Sequence, residues 1–387
     1  MSADTDTDPE TATDTPPDGA PRGFSAELRD ALTPRGVLLV VGGLVLQLAF
    51  ILSYIGAFHA PSPHRIPLAV VAPGQVSVQT ADRLNALDGE PLDARTARDE
   101  AAGRALLLDR SVDAVLLVDP RGTQDRLLVA SAGGPAVSTA VTEIVGKVEA
   151  AQQRTAVTED IRPPGSGDGR GLSSFYLAIG WIVGGYLAAA ILGIAAGARP
   201  ANLHRTVIRL GALAVYAVVS GLGGALIAGP VLGALSGHFV QMWAIGALTV
   251  FAAAATTVAL QVLLGVLGIG VTILVFVVLG NPSAGGAFPP ALLPPFWRAI
   301  GEYIPTGAAT TALRNTVYFA GNALTGPLWV LAGYALAGTA VAVLASARHQ
   351  RAKARGSRAP ETPEAPVAPE APVAPEAPVS GGQTAER

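Results

Sequence analysis

A polytopic α-helical membrane protein of six transmembrane helices, with one inserted extracytoplasmic α/β domain and disordered tails, is the fold class this sequence predicts. Three observations predict it. Positions 210–297, between Arg209 and Arg298, are 88 consecutive residues without Asp, Glu, Lys or Arg. Half of the 387 residues are hydrophobic, only 14% are charged and mean hydropathy is +0.44, whereas a soluble domain carries about a quarter charged residues. Most of the acidic groups, by contrast, lie in one stretch, 59–171. Water cannot cover so much apolar surface, so a soluble enzyme is excluded. The absence of Cys removes disulfides, zinc–thiolate sites, iron–sulfur clusters and thiol catalysis.

The elements follow in chain order. Residues 1–22 are rich in Asp, Thr and Pro and cannot bury enough surface to offset their ordering, so disorder is expected through about residue 23. In 24–35, Phe24, Leu28 and Leu32 share one helical face opposite Glu27, Arg29 and Asp30. That pattern suits an interfacial helix or a plain lead-in to the first span. A crossing needs about 20 apolar residues. Gly36–Phe58, Leu172–Gly197, Val207–Ala228 and Pro327–Ala347 meet that length. Val240–Gly280 would be about twice the bilayer core as one helix. It reads as two crossings turning near Gly265, Gly268 and Gly270. The first span is too long for a cleavable signal and lacks a basic leader and an A-x-A site.

Residues 59–171 read as a folded domain. Ile66–Val71, Asp113–Val118 and Leu127–Ala130 have buried-strand patterns. Thr96–Asp109 and Ala136–Gln153 have helical periodicity. Alternation of strands and helices favours a small mixed sheet with helix cover. Arg199, Arg205 and Arg209 flank one loop, and Arg348, Arg351, Lys353, Arg355 and Arg358 follow the last span. The positive-inside rule therefore places both termini in the cytoplasm and 59–171 outside. The Arg-dominated basic residues and the Ala, Gly and Pro excess point to a GC-rich bacterial genome and a bacterial plasma membrane. Residues 348–387 pass from basic to Pro-rich, with PEAPV repeated as a polyproline-II tail.

Little in the chain carries chemistry. A phosphate-binding loop is absent: Lys147 follows Gly146, but Val148 occupies the hydroxyl position. Between Asp168 and Glu361 the only acid is Glu302, so a proton relay within the spans is not expected. The five His are scattered, with no metal-binding spacing. No enzyme activity, no cofactor in this chain and no nucleic-acid partner are expected. Gly180/Gly184 and Gly193/Gly197 are small-xxx-small pairs, a helix-packing or dimer seam. Gln47 and Gln261 are polar groups within spans, read as inter-helix hydrogen bonds or as path lining. Asn281–Gly326 is apolar yet broken by Pro282, Pro289, Pro290, Pro294, Pro295 and Pro305. Proline stops helices, so this connection reads as one or two short re-entrant or interfacial helices. Arg298, Glu302 and Arg314 would sit there near the outer water layer, as an ion pair or as a gate.

The stretch LGNPSAGG–FP–LLPPFWRAIGEYIPTGAATTALRN, with one span, a large outer domain and then five spans, resembles the membrane subunits of type-2 ABC exporters. Within them it is similar to the YhgE/phage-infection-protein branch, and also to bacterial membrane proteins related to the fungal nitrosoguanidine-resistance protein. Asn281-Pro282-Ser283, Gly285-Gly286, Leu293-Pro294, Pro305 and Leu313-Arg314 carry the likeness, which covers about residues 24–347. It implies a permease half that dimerises or pairs and meets a separate ATP-binding subunit. In this chain residues 24–35 and the cytoplasmic loop with Arg199, Asn202, His204 and Arg205 would make that contact. The expected cargo is amphipathic or lipid-like. The alternative is a non-transporting surface protein whose 59–171 domain binds a phage or an envelope factor.

Overall fold

The computed structural model describes residues 33–200 and 202–356. Residues 1–32, with most of the expected interfacial helix, and the Pro-rich tail lie outside the described residues.

Helix α1 (Pro34–Phe58) starts at Thr33, whose hydroxyl accepts from the Gly36 N–H at 3.0 Å, with Pro34 in the first turn. Both features suit a helix start: one supplies an acceptor, the other lacks a donor that would go unused. Next comes the α/β domain: β1 (Ile66–Val71), α2 (Gln75–Asn85), β2 (Leu92–Thr96), α3 (Glu100–Leu108), β3 (Ala114–Leu117), β4 (Gln124–Val129), α4 (Pro135–Ala151) and β5 (Thr155–Asp160). The sheet order is β2-β1-β3-β4-β5, parallel except for the antiparallel β3–β4 pair. The helix expected from Thr96 begins only at Glu100, because Thr96 pairs with Val70 as the end of β2. Helix α2 and strands β2 and β5 carry no strong apolar pattern and were not expected.

Strand periodicity sorts the two faces of the sheet. Leu68, Val70, Ala114, Leu116, Leu127 and Val129 share one core with Leu84 of α2 and Val137, Val141 and Val145 of α4. Ala69, Val115 and Leu128 point the other way, onto Leu107 of α3. That second core does not stop at the domain edge. It runs on through Ala178, Trp181, Ala309, Leu313 and Phe319 of the helical region. Leu292, from the Pro-rich connection, is buried in the first core. The domain and the helices are therefore joined by shared apolar burial on both faces.

The helical region contains α5 (Ser173–Ala196), α6 (Leu203–Leu226), α7 (Phe239–Leu264), α8 (Leu267–Ser283), α9 (Pro295–Gly301), α10 (Pro305–Tyr318) and α11 (Thr325–Gly356). Helices α1, α5, α6, α7 and α11 are long and apolar enough to cross a membrane. Helix α8 is apolar but only 17 residues long, about 26 Å at 1.5 Å per residue. Among the described residues five helices thus meet the full length and α8 falls short, so the expected six are not all found. The break between α7 and α8 falls at Gly265, whose φ of 65° suits glycine and whose N–H caps the Gln261 carbonyl.

Helix α7 is the hub, with 61% of its apolar window buried. Its Ala252–Ala255 run is fully buried. Thr249 and Thr257 return their hydroxyls to carbonyls four residues back. Small residues let backbones approach. A Cβ on Gly185 of α5 would meet the Val250 carbonyl at 2.4 Å, one on Gly221 of α6 the Ala247 N at 2.5 Å, and one on Gly338 of α11 the Ala255 carbonyl carbon at 2.7 Å. The expected seam is corrected accordingly. Gly193 makes room for Gln261, whose Nε2 donates to the Ala189 carbonyl at 3.2 Å. Gly180 meets nothing within 4 Å, Gly184 has only Tyr216 and Ser220 side chains beside it, and Gly197 ends α5 at φ 86°. The packed stripe is Gly185–Ala189–Gly193, one residue round the helix from Gly184. Gln47 lies exposed on α1.

The prolines of 281–326 do more starting than stopping. Pro295 and Pro305 occupy the first turns of α9 and α10, and Pro290 opens a 3₁₀ turn. Pro282 sits in the last turn of α8, just after a π-helical stretch at Leu274–Leu279.

Candidate functional site

The site forms where the helices meet the α/β domain. A cavity of about 410 Å³ lies there, walled by residues of the α8 end, the Pro-rich connection, α9, α10, the start of α11, and Arg110 and Gly133 of the domain. Its floor is made by close backbone approach. A Cβ on Gly301 would meet the Ser283 carbonyl at 2.2 Å, and one on Gly307 the Gly301 carbonyl at 2.1 Å. Any larger residue there would push the three segments apart. The Thr306 hydroxyl donates to the Phe276 carbonyl at 3.2 Å, within the π-helical stretch where the helix ladder is disturbed.

Arg314 is the central side chain. The expectation placed it near a water layer, and the structure corrects this: Arg314 is 5% exposed. The 14-residue α10 has twelve buried residues, so it is an internal helix and not a surface cap. Arg314 Nη1 donates to the Gly285 carbonyl at 3.1 Å. Its Nε and Nη2 are buried without a hydrogen-bond partner. The neighbouring Asn315 donates through Nδ2 to the Ala323 carbonyl at 3.3 Å, while its Oδ1 is buried without a partner. Both residues line the cavity.

Arg110, which sequence reasoning missed, lines the same cavity from the domain side. Its guanidinium lies 4.7 Å from the Phe319 ring centroid and 3.6 Å from Asp113. It crosses Gly133 so closely that a Cβ there would overlap it. The residue sits at the end of α3 with φ 68°, and nothing in its local pattern marks it. Nearby, Tyr318 donates its hydroxyl to Asp168 at 2.6 Å, and Asp168 also accepts from the Ser173 N–H and hydroxyl. This ties α10 to the start of α5.

Glu302 is exposed and lines the cavity, whereas Arg298 does not line it. No ion pair joins Glu302 to Arg298 or Arg314 among the described residues. The three do not cluster: Arg314 is interior, Glu302 is at the rim, and Arg298 lies outside the cavity.

The expected loop of Arg199, Asn202, His204 and Arg205 is shorter than anticipated. Asn202 is the N-cap of α6, accepting from the Arg205 N–H at 2.9 Å, and His204 and Arg205 lie in the first turn. Arg199 donates to the Leu263 carbonyl at 3.1 Å, and Arg209 to the Gly197 carbonyl at 2.8 Å. Each arginine thus satisfies a carbonyl at a helix C-terminus, where cations are favoured. Among the described residues no group of three or more His, Asp or Glu could hold a metal ion. Comparison of the chain with protein-family models, with characterised proteins and with solved structures finds no match.

Proposed function

We propose that the chain is the permease half of a type-2 ABC exporter that moves an amphipathic or lipid-like compound outward. In this reading α8 is the sixth crossing. The Gly167–Gly233 and Gly134–Pro289 approaches belong to the outer side with the whole 59–171 domain. Both termini then lie in the cytoplasm, and the lipid bilayer is the first partner. Apolar helices without an acidic relay need their energy from elsewhere, so a separate ATP-binding subunit is the partner. His204, Arg205, Arg348 and Arg351, exposed at the end of the helices far from the domain, are its docking groups. Helix α1 has only 6% of its apolar window buried, which leaves a face for lipid or for the second permease of a dimer. The observation that carries the reading is the cavity at the junction of helices and domain; with 59–171 outside, a cargo would leave the bilayer there.

The test is accumulation of a broad dye and drug panel in a deletion strain. Higher retention than wild type, restored by the intact gene, supports export. Unchanged retention across the panel, with no ATPase co-purifying, overturns it. A second reading, a ligand-binding surface protein, has one observation in its favour. A crevice of about 530 Å³, lined by Arg98, Asp99, Glu100 and Arg126, lies at the C-terminal ends of β1 and β3. There the strand order reverses, and open α/β sheets bind ligands at such points.

A further inference from the structure

We infer that the junction cavity is a recognition site for an oxyanion, a carboxylate or phosphate group, carried on a molecule with a hydrocarbon part. A guanidinium has five N–H donors in a fixed fork. In Arg314 one arm, Nη1, is held by the Gly285 carbonyl. The two atoms left without a partner, Nε and Nη2, form one edge of the fork, the edge that meets a carboxylate or phosphate with two parallel hydrogen bonds. Leaving donors of a buried charged group unmet is costly, and Arg314 carries these two on the wall of the cavity. No carboxylate comes within ion-pair distance of Arg314 among the described residues; Asp168 and Asp113 act on its charge only from farther off.

A second cation lines the same wall. Arg110 is fixed by Phe319, Asp113 and the contact with Gly133. Two arginines on one cavity oppose each other, and an anion between them relieves that. Ala284, Pro289, Pro290, Ala308, Pro327 and Val330 give the cavity an apolar stretch, while the Glu302 carboxyl stands at its exposed rim. The volume of 410 Å³ falls within the roughly 300–1,000 Å³ of small-molecule sites. An apolar stretch beside the Arg314 fork fits a fatty-acid-like or alkyl-phosphate cargo better than a bare ion. This inference names the cargo class of the proposed export, but its test reads binding alone.

The experiment uses the full chain in nanodiscs of neutral phosphatidylcholine, with radiolabelled laurate, dodecyl phosphate, dodecanol and inorganic phosphate as probes. Laurate or dodecyl phosphate is expected to bind at least about tenfold more tightly than dodecanol, the scale of a charged hydrogen bond. Arg314→Gln is expected to abolish that preference, and Arg314→Lys, which keeps the charge but not the fork, to restore only part of it. Thr311→Trp, at the exposed rim, is expected to block binding while leaving both arginines in place. Each variant is checked for wild-type elution and melting. Should Arg314→Gln not fold, Thr311→Trp and the dodecanol comparison decide. Equal binding of laurate and dodecanol overturns the inference, as does undiminished preference in a folded Arg314→Gln, or inorganic phosphate competing as well as laurate. Anion-selective binding with unchanged dye retention in the deletion strain would overturn the export reading and leave this site standing.

Discussion

Glu149 shows how one carboxyl can set a pH response. It is 3% exposed at the end of α4. Burial pushes it up to about 7, Asp125 beside it adds to the rise, and the Arg154 guanidinium opposes it. Asp125 stays below its ordinary value despite its own burial, because Arg154 donates to it through Nε at 3.0 Å and Nη2 at 2.5 Å. An ordinary Glu titrates near 4.5. Between about pH 4.5 and 7 the folded protein holds a proton that the unfolded chain has released, so stability falls as pH rises through that window. The whole effect is on the order of 3 kcal/mol. Glu149→Gln is expected to flatten the difference in melting temperature between pH 5 and pH 8. An unaltered difference would show that Glu149 is ionised throughout. The sequence gives no sign of this triad, since Asp125, Glu149 and Arg154 are brought together only by β4, α4 and the turn before β5.

At the scale of the element, the helix seams explain which small residues matter. The two small-xxx-small pairs in α5 were visible, but spacing alone does not say which face meets α7. A Cβ on Gly185 would meet the Val250 carbonyl at 2.4 Å, while Gly184 faces Tyr216 and Ser220 side chains. Gly185→Leu is expected to cost about 3 kcal/mol or more of packing and to abolish a monodisperse elution peak in detergent. Gly184→Leu is expected to retain that peak. The opposite order would place the seam on the Gly184 face. The prolines teach a related lesson. Each proline marks a helix boundary, but a boundary has two sides, and Pro295 and Pro305 begin helices. The edge strands β2 and β5 escaped because LDART and TAVTED have no apolar run. The charges on β5 suit an edge that must not pair further.

For the whole molecule, the long apolar helices were legible because lipid demands continuous hydrophobicity over a fixed length, and no soluble constraint imitates that. The junction cavity was half legible. Arg314 and Glu302 stood out as charges in an apolar stretch. Arg110, Asn315 and the burial of α10 depended on a shared core between domain and helices that no local pattern encodes. That shared core has a consequence. Leu292 reaches the sheet core and Asn322 donates to the Leu108 carbonyl at 3.0 Å, so deleting 59–171 is expected to destabilise the helices as well. Loss of the detergent-stable protein in that deletion is the predicted result, and a fully stable remnant would mean that the two parts fold independently.

The proposed topology has six helical passes, with 59–171 outside and both ends within. The chain has no Cys, so single-cysteine variants report one position each. Asp88 and Arg351 are both exposed, in the domain and near the end of α11. In intact cells a membrane-impermeant maleimide is predicted to label Asp88→Cys and to label Arg351→Cys only after permeabilisation. Labelling of Arg351→Cys in intact cells, or protection of Asp88→Cys there, would overturn that topology.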